Sequence, residues 1–336
     1  MKKLLAMVLA LVMTLSLAVS ANAAFKDADK VSDTYEEAVA VLNGMGVFKG
    51  YEDGSFQPQG NITRAEVAAI VYRVYTADVK DAKASLYATY NKFSDMAGAG
   101  WAQGYIGYCA NAALVKGYPN GTFQPSGKVT GYEVLTMILR AIGYDKNNEF
   151  SGADWALHVA QTAQQAKILA NVKGVDLNAP ATRELVAELL FRAIADAPMV
   201  TYTAAFGYQT VSFDTKKDNK FFKDNETLGH KNFLLDSDVD ADAWGRPTTV
   251  WFEDADKDLK HDDSETVYAT ITATPDASFN VATTECDICA ALGVKKSADV
   301  VEIYTNGVKK GTDTLTATET KAKLGAQGQQ IEFYEN

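Results

Sequence analysis

The strongest constraint on this chain is internal repetition. Gly50-Tyr51-Glu52-Asp53-Gly54-Ser55-Phe56-Gln57-Pro58 returns as Gly117-Tyr118-Pro119-Asn120-Gly121-Thr122-Phe123-Gln124-Pro125, and the offset of 67 residues holds through Thr63/Thr130 and Glu66/Glu133. A fixed offset over such a span marks a repeated supersecondary unit. A unit this small cannot bury its apolar face alone, so the copies must share a core.

Each copy reads as helix, loop, helix. Phe25-Lys26-Asp27 and Phe93-Ser94-Asp95 open the first two, and Phe150-Ser151-Gly152 opens a weaker third. Tyr35, Ala38, Val39 and Leu42 then recur at the i, i+3, i+4, i+7 spacing of one apolar helical stripe. Trp101, Tyr105, Ile106 and Cys109 repeat it, and Trp155, Val159, Thr162 and Ala166 do so more weakly. Asp53-Gly54 and Asn120-Gly121 mark turns because these residue types tolerate positive φ, while Phe56 and Phe123 are expected to fold back over the helix pair. Thr63-Arg64-Ala65-Glu66 and Thr130-Gly131-Tyr132-Glu133 fit the capping box, in which threonine accepts from the N3 amide and glutamate reaches back to the threonine amide. Thr182-Arg183-Glu184-Leu185 starts a third such helix without the capping glutamate.

The N-terminus reads as a secretory signal over residues 1–23: Lys2 and Lys3, an apolar run from Leu4, then Ala21-Asn22-Ala23 for cleavage. No later stretch approaches the ~20 apolar residues that span a bilayer, so no transmembrane segment is expected after signal removal. Losing Lys2 and Lys3 takes the formal net charge from −11 to −13. Such an acidic surface repels nucleic acid, and an anionic ligand would need a few placed cations. Cys109 reads as a small buried apolar residue; Cys286 and Cys289 have the spacing of half a zinc site or a redox pair, and a local disulfide or two free thiols is the simpler reading.

After Pro198 the texture changes. Alternating stretches such as Thr248–Phe252 and Thr266–Thr272 read as strands, and Asn306-Gly307 as a hairpin turn, so residues 200–336 are expected to form a β-rich domain. Asp254, Asp256, Asp258, Asp262 and Glu265 occupy positions one, three, five, nine and twelve of a calcium loop, but Leu259 stands where the sharp turn favours glycine. Asp236, Asp238, Asp240 and Asp242 lack the closing glutamate too. Calcium is thus a weak candidate beside solvated acidic loops, and no other cofactor is expected. No nucleophile elbow, zinc-protease motif or phosphate loop is present, although paired carboxylates suited to a glycosidase could arise from so many acids.

The order Phe-x-Asp, amphipathic helix, Gly-Tyr-x-Asp-Gly-x-Phe-x-Pro, then Thr-Arg-Ala-Glu and an apolar helix resembles the S-layer homology domain, a family normally found as three tandem copies. The resemblance implies an α+β multidomain chain: an all-α, three-lobed, pseudo-symmetric bundle of repeats at 24–80, 90–145 and 148–197, the last degenerate, then the β-rich region. It also implies non-catalytic attachment of an exported bacterial protein to the cell wall, through a peptidoglycan-linked secondary polysaccharide that often carries a pyruvate ketal. Self-association in a surface layer is the accompanying expectation, and a wall-anchored glycoside or peptidoglycan hydrolase is the alternative.

Against such a ligand the residues offer specific chemistry. Thr63 and Glu66 sit at a helix N-terminus with its unpaired N–H groups, and Arg64 adds a forked cation suited to a carboxylate. Lys49 and Lys116, each before a loop glycine (Gly50, Gly117), are secondary cations, and Arg183 supplies the third copy. Trp101 offers a flat face to a sugar, although Trp101 and Trp155 also fit core roles. Gly131 stands where copy two would carry arginine, so one dominant groove around Arg64 is expected, with Arg64→Ala abolishing wall binding and sparing the thermal melt.

Overall fold

The computed structural model describes residues 25–90, 92–217, 220–242, 246–262, 264–275, 277–280, 300–305, 308–314 and 330–333. The signal segment, Cys286, Cys289 and the Asn306-Gly307 turn lie outside the described residues. The fold is mixed α and β. The helices are α1 (Glu36–Gly44), α2 (Arg64–Thr76), α3 (Gln103–Asn111), α4 (Gly131–Ala141), α5 (Trp155–Gln165), α6 (Arg183–Ala195) and α7 (Leu228–Phe233), with 3-10 segments ahead of α1 and between α2 and α3. The strands are β1 (Val200–Thr203), β2 (Gly207–Thr210), β3 (Ser212–Lys217), β4 (Lys220–Asn225), β5 (Leu235–Ala241), β6 (Pro247–Glu253), β7 (Val267–Thr272), β8 (Ala277–Asn280), β9 (Val300–Thr305), β10 (Val308–Thr314) and β11 (Gln330–Phe333). The chain divides into two compact units, one running through Ser237 and including Trp251–Ala269, the other made of Asp238–Val250 and the residues from Thr270 onward.

In the first unit each repeat folds for reasons visible in its own residues. The Asp27 carboxylate accepts from the Phe56 and Gln57 amides at 2.7 and 2.9 Å, and Asp95 accepts from those of Phe123 and Gln124 at 2.8 Å each. Phe25 stacks on Phe56 with centroids 5.0 Å apart, and Phe93 packs tilted against Phe123 at 5.3 Å. The Phe-x-Asp motif therefore closes the turn of its own copy, and Phe56 and Phe123 are fully buried. Partial burial works against the Asp27 and Asp95 charges, but the loop amides outweigh it and hold both carboxyls below their ordinary value. Both capping boxes form, at Thr63/Glu66 and Thr130/Glu133, while Thr182 caps α6 alone, onto the Leu185 amide.

The copies are tied at their centre by a closed ring of backbone hydrogen bonds. The Ile62 amide donates to Ala181 (3.1 Å), the Ala181 amide to Val129 (2.8 Å), and the Val129 amide back to Ile62 (3.3 Å). Each partner is the residue immediately ahead of a capping threonine, so the ring sets three helix starts side by side.

The first unit runs past the change in sequence texture at Pro198. Trp251 on β6 packs edge-on against Phe191 at 4.9 Å and donates to Glu37 at 3.0 Å, and Asn232 on α7 donates to the Val74 and Tyr75 carbonyls at the end of α2. These apolar and capping contacts recruit α7 and parts of β6 and β7 to the helical core. A three-stranded sheet runs in the order β5-β6-β7, with β1-β2 and β3-β4 as separate antiparallel pairs. In the second unit, β9 and β10 pair antiparallel on either side of Asn306-Gly307, and β8 pairs antiparallel with β11.

Candidate functional site

A groove of about 660 Å³ opens between the α2 helix of copy one and the segment leading into α3 in copy two. Loop one contributes Lys49, Gly50 and Tyr51, α2 and its cap contribute Thr63, Glu66 and Arg73, and copy two contributes Gly98–Trp101 and Ser126. Arg183 reaches the same groove from copy three. Trp101 is 62% exposed on the wall, held edge-on by Tyr105 at 5.8 Å.

The cations of this groove are fixed in place. Arg73 grips Asp81 through Nε at 2.8 Å and a terminal nitrogen at 3.1 Å, and Lys49 also donates to Asp81. Burial opposes the Asp81 charge, yet the hydrogen bonds and charges of Arg73 and Lys49 outweigh it and hold the carboxyl below its ordinary value. Arg183 pairs with Glu66 at 3.2 Å. Three cations against Glu66 and Asp81 leave one positive charge in excess, within a chain whose formal net charge is −11.

The sequence-predicted residues are divided by the structure. Lys49, Gly50, Thr63, Glu66, Trp101 and Arg183 line the groove; Arg64, Lys116 and Gly117 do not. Arg64 is 4% exposed, with Nε on the Phe123 carbonyl (2.8 Å), one terminal nitrogen on Glu133 (3.1 Å) and the other on the Lys116 carbonyl (3.1 Å), between the Tyr118 and Phe123 rings. The expectation of Arg64 as an open ligand donor is corrected: it clasps copy two from copy one. Arg183 does the same for copy one, on the Phe56 carbonyl (2.7 Å), Glu66 and the Lys49 carbonyl. The first free N–H groups expected at the α2 N-terminus are also taken, since Arg64 and Ala65 donate to the Gly127 and Pro125 carbonyls at 2.9 Å each.

Gly50 and Gly117 have a packing reason. A Cβ there would lie 2.8 Å from the Phe25 ring and 2.4 Å from the Phe93 ring, so the glycines admit the aromatic of the Phe-x-Asp motif. Lys116 belongs to the equivalent arrangement in copy two, bonded to Asp145 (3.0 Å), which also takes Arg140 at 2.7 Å. Arg73 and Asp81 were not singled out from sequence; the shared offset of Arg73 and Arg140 is the signal that could have marked the arginine.

Asp145 gives a pH prediction. Burial pushes its pKa up, but the Phe150 amide, Arg140 and Lys116 bring it below the ordinary 3.8. A depressed carboxyl adds stability above its unfolded value and loses it as pH falls through the folded value. Asp145→Asn should therefore narrow the fall in urea-unfolding midpoint between neutral pH and about pH 3; an undiminished fall would show that Asp145 is not a source of it.

Elsewhere in the first unit, oxygens of Asp254, Asp256 and Glu265 lie within 4.8 Å of one another, without Asp258 or Asp262. Leu259 takes a φ of 61°, the conformation glycine would take at that position of a calcium loop. Asp254 is fully buried and accepts from the Asp258 and Leu259 amides, and burial raises its pKa. Cys109 is buried with its thiol on the Ala68 carbonyl, and burial raises its pKa as well, which suits a core residue.

The S-layer homology domain family matches residues 24–68 and 92–135. The chain is 34% identical over 149 residues to the middle cell wall protein of Brevibacillus brevis, covering 43% of this chain and 14% of that one. It is 33% identical over 147 residues to the surface layer protein of Brevibacillus choshinensis, covering 43% and 13%. A cellulosome-anchoring protein of Acetivibrio thermocellus is 39% identical over 115 residues, covering 33% and 25%. The matched stretch thus spans a quarter or less of each of these relatives. Residues 24–68 and 92–135 thus carry S-layer homology domain repeats, and part of the chain is similar to cell-wall and surface-layer proteins. The chain is secreted and associated with the cell wall. Among the described residues no helix is long and apolar enough to cross a membrane.

Proposed function

We propose that the chain anchors an exported bacterial protein to the cell wall without catalysis, by binding an acidic, pyruvylated secondary cell-wall polysaccharide in the groove between copies one and two. The ring through Ile62, Val129 and Ala181 is, on this reading, the centre of a three-lobed pseudo-symmetric bundle, with Arg64 and Arg183 as clasps between lobes. The observation that carries the proposal is the groove's cation excess in an acidic chain, beside a tryptophan left 62% exposed on its wall. An anion gains from Lys49 and Arg73, and the apolar face of a sugar ring gains from the indole. The names of the relatives, a wall protein, a surface-layer protein and an anchoring protein, support the same role. Assembly into a surface layer is part of the proposal; a cofactor is not.

The test is retention of the full chain on purified sacculi before and after chemical removal of the polysaccharide. Retention lost on stripping is expected, and equal retention on both would overturn the ligand assignment. Trp101→Ala should weaken retention roughly tenfold while leaving the melt in place, because so little of the ring is buried. A variant that binds as well as the parent would remove Trp101 from the site, and one that melts early would make its role one of packing.

A further inference from the structure

Each copy carries one arginine ten residues after its capping threonine: Arg73 after Thr63, Arg140 after Thr130 and Arg192 after Thr182. In the first two copies a lysine joins it. Arg73 and Lys49 both hold Asp81, and Arg140 and Lys116 both hold Asp145, so two cations face one carboxylate. Equivalent backbone bonds close the first helix of each copy, from the Val47 amide to Leu42, from Leu114 to Cys109 and from Ile168 to Ala163. Two residues further on they align Lys49, Lys116 and Ala170. The third copy therefore lacks the lysine.

It carries acids in excess instead. Arg192 donates through Nε to Glu188 (2.9 Å) and through its terminal nitrogens to Glu37 (2.6 Å) and Asp196 (3.1 Å), so one cation faces three carboxylates. Glu188 stands six residues after the cap, where copy one has Ala69 and copy two Thr136. It is 0% exposed. Its Oε1 accepts from Arg192 and from the Asn171 side chain (3.0 Å), whereas its Oε2 is buried with no hydrogen-bond partner among the described residues. The groups that face it come from three sides: Glu37 on α1 and Tyr35 just ahead of it, Asn171 after α5, and Arg192, Asp196 and Glu184 on or beside α6 itself. Glu37 also receives the Trp251 indole N–H at 3.0 Å, so one carboxylate ties copy one both to Arg192 and to β6.

We propose that Glu188 is a proton-operated latch at the junction of copies three and one. Ionised, it holds a buried oxygen that lacks a donor and competes with Glu37 for Arg192; protonated, it leaves that charge to Glu37 and Asp196, and the junction closes more firmly. A buried carboxylate short of donors costs more than the neutral acid. Burial accordingly raises the Glu188 pKa above its ordinary value, with Glu37 adding to the rise and Arg192 and Asn171 opposing it. Arg192 already spans the three carboxylates, which leaves a proton as the added positive charge. A carboxyl raised in the folded state costs stability while ionised, and that cost is relieved as pH falls through the folded value toward the unfolded one. The sign is opposite to that of Asp145, and the latch does not depend on what the groove binds.

The test is carboxyl-carbon NMR of the full chain as a function of pH. The Glu188 signal should titrate with a midpoint above the ordinary 4.5, and the Trp251 indole N–H signal should shift with the same midpoint. That indole step should vanish in Glu188→Gln, which keeps the shape and removes the charge. The urea midpoint of the parent should gain on that of Glu188→Gln between pH 7 and about pH 5. A Glu188 midpoint at or below 4.5 overturns the proposal, and so does a gap in urea midpoint that stays the same at both pH values. The parent titration decides the matter by itself if Glu188→Gln does not fold.

Discussion

Replacing Arg64 with alanine is expected to cost about 3 kcal/mol of folding stability, the scale for removing one partner of a buried ion pair. The guanidinium makes three hydrogen bonds across the junction of copies one and two and lies between two aromatic rings. Its loss strands the Phe123 and Lys116 carbonyls without that donor, although Glu133 keeps the Tyr118 hydroxyl at 2.7 Å. Arg64→Lys should recover only part, because one ammonium cannot span two carbonyls and a carboxylate in the geometry of the fork. The urea midpoint of the full chain measures both. An Arg64→Ala protein with the parent midpoint and no wall binding would restore Arg64 to the role of ligand donor.

Gly44→Ala should be as damaging, at about 3 kcal/mol, against what helix propensity alone would suggest. Gly44 ends α1, where alanine ordinarily favours the helix by up to about 1 kcal/mol. Here a Cβ would stand 1.9 Å from the Tyr268 carbonyl oxygen and 2.7 Å from its carbon. Neither backbone can yield as a flexible side chain could, so α1 and the start of β7 must part. Gly121→Ala is the comparison: nothing lies within 4 Å of its Cβ, and only the φ of 80° is unfavourable. A smaller loss of about 1 kcal/mol is expected there. Equal losses at the two sites would remove close approach as the reason for glycine at position 44.

Local features were legible in the sequence because their partners are a few residues away. The capping boxes need only Thr63 with Glu66 and Thr130 with Glu133, and the turns need only Asp53-Gly54 and Asn120-Gly121. The covering role of Phe56 and Phe123 followed from their place after the turn. The fate of Arg64 was not legible, since its acceptors belong to another copy, 52 to 69 residues away. For the same reason the helix start appeared open to an anion when its amides are spent on Gly127 and Pro125. The reach of the first unit to Trp251 depends on Glu37, 214 residues earlier, and no pattern of strand residues announces it. Of the candidate site, the loop lysine, the capping pair and Trp101 could be read from their motif, whereas Arg73 and Asp81 needed the folded groove to bring them to Lys49.

The central ring also dictates when this molecule can become whole. Its neighbouring contact from Asn61 to Pro180 joins residues 119 apart, so closure carries the entropy of a long loop that local helix formation cannot offset early. During synthesis and passage out of the cell, the leading copies can form helices while their last partner is still inside. The lock can engage only once the trailing copy is available, so ring closure waits on the third repeat however early the helices of the first two form.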